Sequence, residues 1–225
     1  MCARFSLFSG RARLARLFQV PDLPEFEPRY NIAPSLDVLA IVAGPSGREG
    51  HWMRWGLVPF WADDRKVGLS LINARGETVA EKPAFRRSFE KRRCLIPADG
   101  FFEWETIAGK KQPHFIRARD GEPLALAGLW ERWHGEDPPL ESCTIITTSS
   151  NAVIEPLHDR MPVILPEAHF DEWLDPESDR QRLLRLITPS DDELLIEYAV
   201  TPKMGNTRYE APDAIEPIGT QGSLF

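Results

Sequence analysis

The chain has 225 residues, 42% of them apolar, and a formal net charge of −7, which fits a globular domain with a substantial core and excludes global disorder. No apolar run reaches the ~18 residues that span a bilayer, and the N-terminus lacks the apolar stretch of a secretory signal, so no membrane association and a cytoplasmic setting are expected. Three cysteines are an odd set that builds no disulfide framework and suits a reducing compartment.

The charge is unevenly spread. Residues 1–120 carry 20 Lys and Arg against 14 Asp and Glu, a net +6, and residues 121–225 carry 7 against 20, a net −13. Such asymmetry points to a face that meets a polyanion.

In chain order, β-branched, aromatic and apolar runs predict strands near 36–43, 50–58, 69–73, 93–97, 100–105, 113–118, 123–131, 141–148 and 194–201. A further short strand is expected to begin near Met161. Residues 76–91 predict one or two helices broken at Pro83. Further helices are predicted at 151–156, 166–175 and 178–187, with Pro166 suited to a first helical turn. Strands are interrupted by helices without regular βαβ alternation. That order predicts an α+β fold: a single domain over 1–225 with a largely antiparallel, barrel-like sheet core and peripheral helices. The end of the chain, about 219–225, reads as a loose tail. A monomer is expected.

Several stretches carry candidate chemistry. Met1-Cys2-Ala3 begins the chain. Removal of Met1 would leave a 1,2-aminothiol, whose amine (~7.7–8.0) and thiol (~8.5) both react near neutrality. An aldehyde meeting such a group forms an imine with the amine, and the thiol then closes a thiazolidine. An N-terminal nucleophile can also use its own amine as base. Cys94 and Cys143 sit in apolar runs and read as small buried hydrophobes.

In Leu71-Ile72-Asn73-Ala74-Arg75-Gly76-Glu77-Thr78, Asn73 and Arg75 project from one side of an extended segment. The amide offers donor and acceptor, and the guanidinium a bidentate fork for phosphate. In Ala98-Asp99-Gly100-Phe101-Phe102-Glu103-Trp104-Glu105, Glu103 stands between Phe102 and Trp104. Partial desolvation there would favour the protonated form that acid–base work needs. His158, in Glu155-Pro156-Leu157-His158-Asp159-Arg160-Met161-Pro162, suits proton transfer to a sugar ring oxygen. The histidines show no metal-binding spacing, so neither metal nor cofactor is expected.

The run His51 to Trp61 holds Trp52, Trp55, Phe60 and Trp61 near Arg54, the mixture that stacks on unpaired bases. At least one of Trp52 and Trp55 should be core, while Trp61 is expected in a loop. The basic run from Arg86 to Arg93 reads as a solvated helix face that could meet phosphate.

Taken in order, Met1-Cys2-Ala3-Arg4-Phe5, Tyr30-Asn31-Ile32-Ala33-Pro34, Arg54-Trp55-Gly56-Leu57-Val58-Pro59, Asn73-Ala74-Arg75-Gly76-Glu77-Thr78, Ala98 to Trp104, Ala127-Gly128-Leu129-Trp130 and His158-Asp159-Arg160-Met161-Pro162 resemble the SOS-response-associated peptidase (SRAP) family. The resemblance runs from Cys2 to about Ile218. It implies a sensor of abasic sites in single-stranded DNA that shields the lesion through a thiazolidine DNA–protein crosslink. It implies Cys2 as nucleophile, Asn73 orienting the opened sugar, Glu103 moving protons at the amine and in crosslink reversal, and His158 helping to open the sugar ring. Arg4, Arg75 and Arg160 would hold phosphates, with Pro34 and Trp61 packing against bases or a duplex end. The family name also implies peptidase-like removal of what precedes the cysteine. Ala3 departs from the family's usual glycine, and Thr201–Arg208 follows the family pattern loosely. Two other readings compete: a thiol peptidase built on Cys2, His158 and Asn73, and a non-covalent single-strand binding module.

Overall fold

The computed structural model describes residues 2–219, so all but Gly219 of the expected tail lies outside the described residues. Long alternating runs become the strands that dominate it: β1 (Phe5–Leu7), β2 (Arg29–Ile32), β3 (Asp37–Gly44), β4 (Gly47–Trp55), β5 (Asn73–Arg75), β6 (Arg93–Ala98), β7 (Gly100–Ile107), β8 (Lys110–Ala118), β9 (Leu124–Trp133), β10 (Leu140–Ser149), β11 (Arg160–Pro162) and β12 (Leu195–Ala199). The α-helices are short: α1 (Arg11–Leu17), α2 (Arg86–Lys91), α3 (Phe170–Leu174) and α4 (Arg180–Arg185).

One sheet runs β12-β8-β7-β1-β2, all antiparallel. The other runs β11-β10-β4-β3-β6-β9, and β9 also pairs with β10, so the strands from β10 through β9 close on themselves. The expected barrel-like, largely antiparallel core is therefore present. Its parallel pairings are those of β10 with β4 and β5. The main core fills the barrel and extends to the inner face of the first sheet through Phe5, Phe101, Ile116 and Leu195. The outer face of that sheet has its own small core, in which Phe102, Phe115, Val200, Met204 and Ala214 pack with Trp104, Tyr198 and Tyr209. Period-two alternation along β7 thus sends Phe101 and Phe102 into different cores.

Two expectations fail for local reasons. The strand expected at 69–73 is preceded by a 3-10 turn over Arg65–Ser70, and extended backbone begins only at Asn73. Asp64 causes this by accepting the Lys66 N–H at 2.8 Å, capping the turn. The helix expected at 151–156 is a succession of turns. Asn151 closes them by accepting from the Ile154 and Glu155 amides. Pro156 supplies no N–H and disfavours helical backbone at Glu155, so no helix propagates. The elements β1, β2 and α1 carry too short a pattern to have been expected.

Two glycines position the strands beneath the site. Gly56 has φ +129°, and a Cβ there would meet the Gly68 carbonyl oxygen at 2.6 Å. Gly100 lets β7 start against β8, because a Cβ would lie 2.3 Å from the Phe115 ring.

Candidate active site

Cys2 is fully buried at the entry to β1. Strand β1 pairs with β7 with Phe5 opposite Phe101, and the Phe102 amide donates to the Arg4 carbonyl at 3.0 Å. Antiparallel pairing continued toward the N-terminus carries Ala3 and Cys2 alongside Glu103. The charge of Glu103 accordingly acts on the Cys2 thiol: burial, and then Glu103, push that thiol well above its usual range. The thiol is thus held as S–H, and its weak contact with the Arg4 carbonyl is 3.9 Å long.

Asn73 arrives from the other sheet. Strand β5 lies parallel to β10 with Asn73 opposite Ile145, and the Trp55 indole N–H fixes its approach by donating to the Ile72 carbonyl at 2.9 Å. Ala74 is buried between Asn73, half-buried, and Arg75, exposed, as alternation requires. The Asn73 amide nitrogen donates to the Cys2 carbonyl at 2.8 Å. Its oxygen is buried without a hydrogen-bond partner, an arrangement that costs ~1–3 kcal/mol unless a ligand donates to it.

Glu103 is 3% exposed. Burial raises its carboxyl from the ordinary 4.5 to about 7, so near neutrality it both gives and takes protons. Glu103 and His158 approach one site from different elements, for both feel Asp159 and Lys111. His158 lies in the β10–β11 connection, which Asn151 and Ala152 anchor through Ser190 and Asp192. Burial lowers its imidazole below the ordinary 6.5. Its Nδ1 lies 2.9 Å from the Arg160 N–H and 2.8 Å from Asp159 Oδ1. The neutral ring can satisfy only the first, as acceptor, which puts the proton on Nε2. The Asp159 contact becomes a hydrogen bond only in the cation.

The expected phosphate-binding residues differ in freedom. Arg75 is exposed. Arg160 is locked: it pairs bidentately with Glu77, its Nη2 lying 2.9 Å from Oε2, and donates to the Thr147 carbonyl at 2.7 Å. This pair holds Glu77 below the usual carboxylate range. Arg4 turns inward instead, to Asn31 Oδ1 at 2.7 Å and to the carbonyls of Met204 and Gly205. Asn31 also donates to the carbonyls of Met204, Asn206 and Tyr209. The Thr201–Arg208 loop is therefore clamped to β1 and β2 despite its loose match to the family pattern. Ala3 is not among the described residues with left-handed backbone, so the place of the usual glycine is taken without strain.

Pro34 is half-buried and precedes Ser35 at φ +71°. Trp61 is 52% exposed, beside Phe60, over whose ring Arg87 stacks at 4.1 Å. Trp55 is core and Trp52 is partly exposed, while Cys94 and Cys143 are buried free thiols. The basic run from Arg86 divides: Arg93 is buried, capping helix-end carbonyls at Phe89, Glu90 and Trp173. The roles of Glu77 and Asn31 escape sequence reasoning, although both residues stand inside the quoted motifs. Among the described residues no helix is long and apolar enough to cross a membrane and no cluster could hold a metal.

The model of the family described as "SOS response associated peptidase (SRAP)" matches residues 1–207. The abasic site processing protein YoqW of Bacillus subtilis is 42% identical over 96% of this chain and 99% of its own length. The abasic site processing protein HMCES of Rattus norvegicus is 31% identical over 96% of this chain and 76% of its own. A crystal structure of a protein from Bacteroides thetaiotaomicron superposes with a TM-score of 0.85 over 96% of this chain and all of its own, at 24% identity, and supports the fold alone. One from Bordetella bronchiseptica reaches 0.78 at 26% identity, over 89% of this chain and all of its own. With a family model spanning nearly the whole chain and relatives of this identity, the chain belongs to the SOS response associated peptidase family.

Proposed function

We propose that this protein processes abasic sites in single-stranded DNA by bonding covalently to the lesion's aldehyde through the amine and thiol of Cys2. The relatives named abasic site processing proteins support the substrate class. The observation that carries the chemistry is the convergence on Cys2. Asn73 grips its carbonyl and leaves a buried acceptor open, and a buried carboxyl near pKa 7 stands alongside.

The sequence of steps follows from the protonation states. His158, as the imidazolium that Asp159 would hold, gives its Nε2 proton to the ring oxygen of the closed sugar and regains, through water, the proton that the anomeric hydroxyl loses as the aldehyde opens. The Cys2 amine, freed by removal of Met1, attacks the carbonyl carbon. Glu103 as the acid protonates the resulting hydroxyl, which leaves as water and gives the protonated imine. Glu103, now a carboxylate, takes the thiol proton as sulfur bonds to the imine carbon. A thiol held up by burial reacts second, after the amine, because its proton needs this base. The Asn73 oxygen accepts from a sugar hydroxyl and orients the opened chain. The reverse steps use the same groups.

The exposed side chains supply the strand contacts. Trp61 and Phe60 stack on unpaired bases, and Arg75 and Arg87 meet phosphates, with Pro34 at the margin. Arg160 and Arg4 act mainly by holding Glu77 and the C-terminal loop in place. A thiol peptidase is less favoured, because a nucleophilic thiol needs its pKa lowered and burial moves that of Cys2 the other way.

Borohydride trapping tests the proposal. With an abasic single strand, Cys2→Ala should give no stable adduct yet leave an imine that reduction traps at the N-terminus. Failure to trap anything would remove the amine from the first bond-forming step.

A further inference from the structure

When the amine starts as an ammonium, Glu103 as the carboxylate first takes its proton to free the amine for attack, so the steps above end with one net proton on Glu103. Glu103 must shed that proton, yet it is 3% exposed. The sheet gives it one titratable cross-strand partner. Glu103 stands directly opposite His114 of β8, and directly opposed residues share a face with Cβ atoms ~4.5–5.5 Å apart. His114 is itself buried, at 9% exposed. Its Nδ1 lies 2.6 Å from Glu197 Oε2 on β12. Its Nε2 lies 3.3 Å from Glu105 Oε2 but is a buried nitrogen with no hydrogen bond. The two observations on Nε2 are compatible, since charges can be close without being aligned, and alignment decides a hydrogen bond.

A buried ring nitrogen without a partner calls for an explanation. The surroundings offer one. The side chains of Glu105 and Glu197 are 38% and 35% exposed, so each touches both His114 and water. The N-terminal amine, Asp159 of the β10–β11 connection and Lys111 of β8 also act on Glu103. An imidazole between a buried acid and a wet carboxylate can take a proton on one ring nitrogen and give one from the other.

We propose that His114 is a proton relay for Glu103, carrying the net proton of crosslinking to Glu197 and water. The inference rests on the crosslinking reading. After ring closure Glu103 is the acid. It gives its proton to His114 Nε2, Nδ1–H gives its own to the Glu197 carboxylate, and Glu197 releases it to water. Glu103 ends as the carboxylate, and the imidazole ends neutral as its other tautomer, which reversal of the crosslink resets. His114 acts through Glu103 and touches no reacting atom.

The test is the single-turnover rate of adduct formation on an abasic single strand for wild type, His114→Phe and His114→Gln, across a series of imidazole buffer concentrations at constant pH and ionic strength. Both variants should keep a wild-type melting temperature. Their rates should fall about 10-fold or more, the lower bound lying short of the ~10²-fold of a group that meets the reacting atoms directly, and should climb with imidazole concentration while the wild-type rate stays flat. Wild-type rates in both variants, or slow rates that buffer does not raise, overturn the relay. Absence of any adduct from the wild-type protein overturns the crosslinking reading and the relay with it.

Discussion

Replacing Glu103 with Gln removes a charge that the fold holds unfavourably. The carboxyl's ordinary value of 4.5 rises to about 7 on folding, with burial as the leading cause. Between those values the native state keeps a proton that the unfolded chain has lost, so wild-type stability falls as pH rises through this window and levels off above it. At ~1.4 kcal/mol per pH unit, the full penalty at pH 8 is about 3 kcal/mol. Gln fills the same space without the charge and escapes it. For a domain of this size each kcal/mol moves the melting temperature by ~2–4 °C. Glu103→Gln should therefore melt several degrees above wild type at pH 8 and together with it near pH 4.5, while forming adduct more slowly by about 10²-fold or more. Thermal melts of both proteins across this pH range, alongside adduct rates, are the assay. A stability difference that does not change with pH would mean that the effect is one of packing and not of ionisation.

Other outcomes follow from the same geometry. His158→Gln should slow adduct formation on the closed sugar by about 10²-fold, and a wild-type rate would strip His158 of its ring-opening role. Arg75→Ala should weaken binding of an abasic strand, reduce its salt dependence by about one phosphate contact and leave the melting temperature alone. Arg160→Ala should instead destabilise the fold by ~1–3 kcal/mol, because the Thr147 carbonyl loses its donor and Glu77 its partner. Equal stability losses in the two would erase the distinction between a free and a locked arginine. Ala3→Gly should leave the adduct rate unchanged, since the backbone of Ala3 is not left-handed. A faster rate would mean that the methyl group crowds the reacting carbon.

Much of the barrel was legible in the sequence because its strands are long. Strands β3, β4, β6, β9 and β10 repeat apolar and β-branched residues over many positions. Their closure into a barrel depends on β9 pairing with both β6 and β10, a long-range fact that no local pattern carries. Strands β1, β2 and β5, each of three or four residues, are set by tertiary pairing and not by propensity, yet β1 and β5 deliver Cys2 and Asn73. The candidate site residues were therefore readable as motif members, while the way they meet was not. The same holds for the arginines. An exposed arginine and an interior clamp look alike in sequence, and only the placement of Asn31 and Glu77 separates Arg75 from Arg4 and Arg160. His114 carried no signal at all, because its meaning comes from standing across the ladder from Glu103.

Whether Cys2 bonds covalently to the lesion can be read from denaturing-gel mobility of the protein with a single-stranded oligonucleotide bearing one abasic site. Mass spectrometry would first establish that Cys2 is N-terminal. A heat-stable shifted band is expected with the abasic strand, none with an intact strand, and none from Cys2→Ala. A shifted band that persists undiminished in Cys2→Ala, or no band from wild-type protein that begins with Cys2, would contradict it.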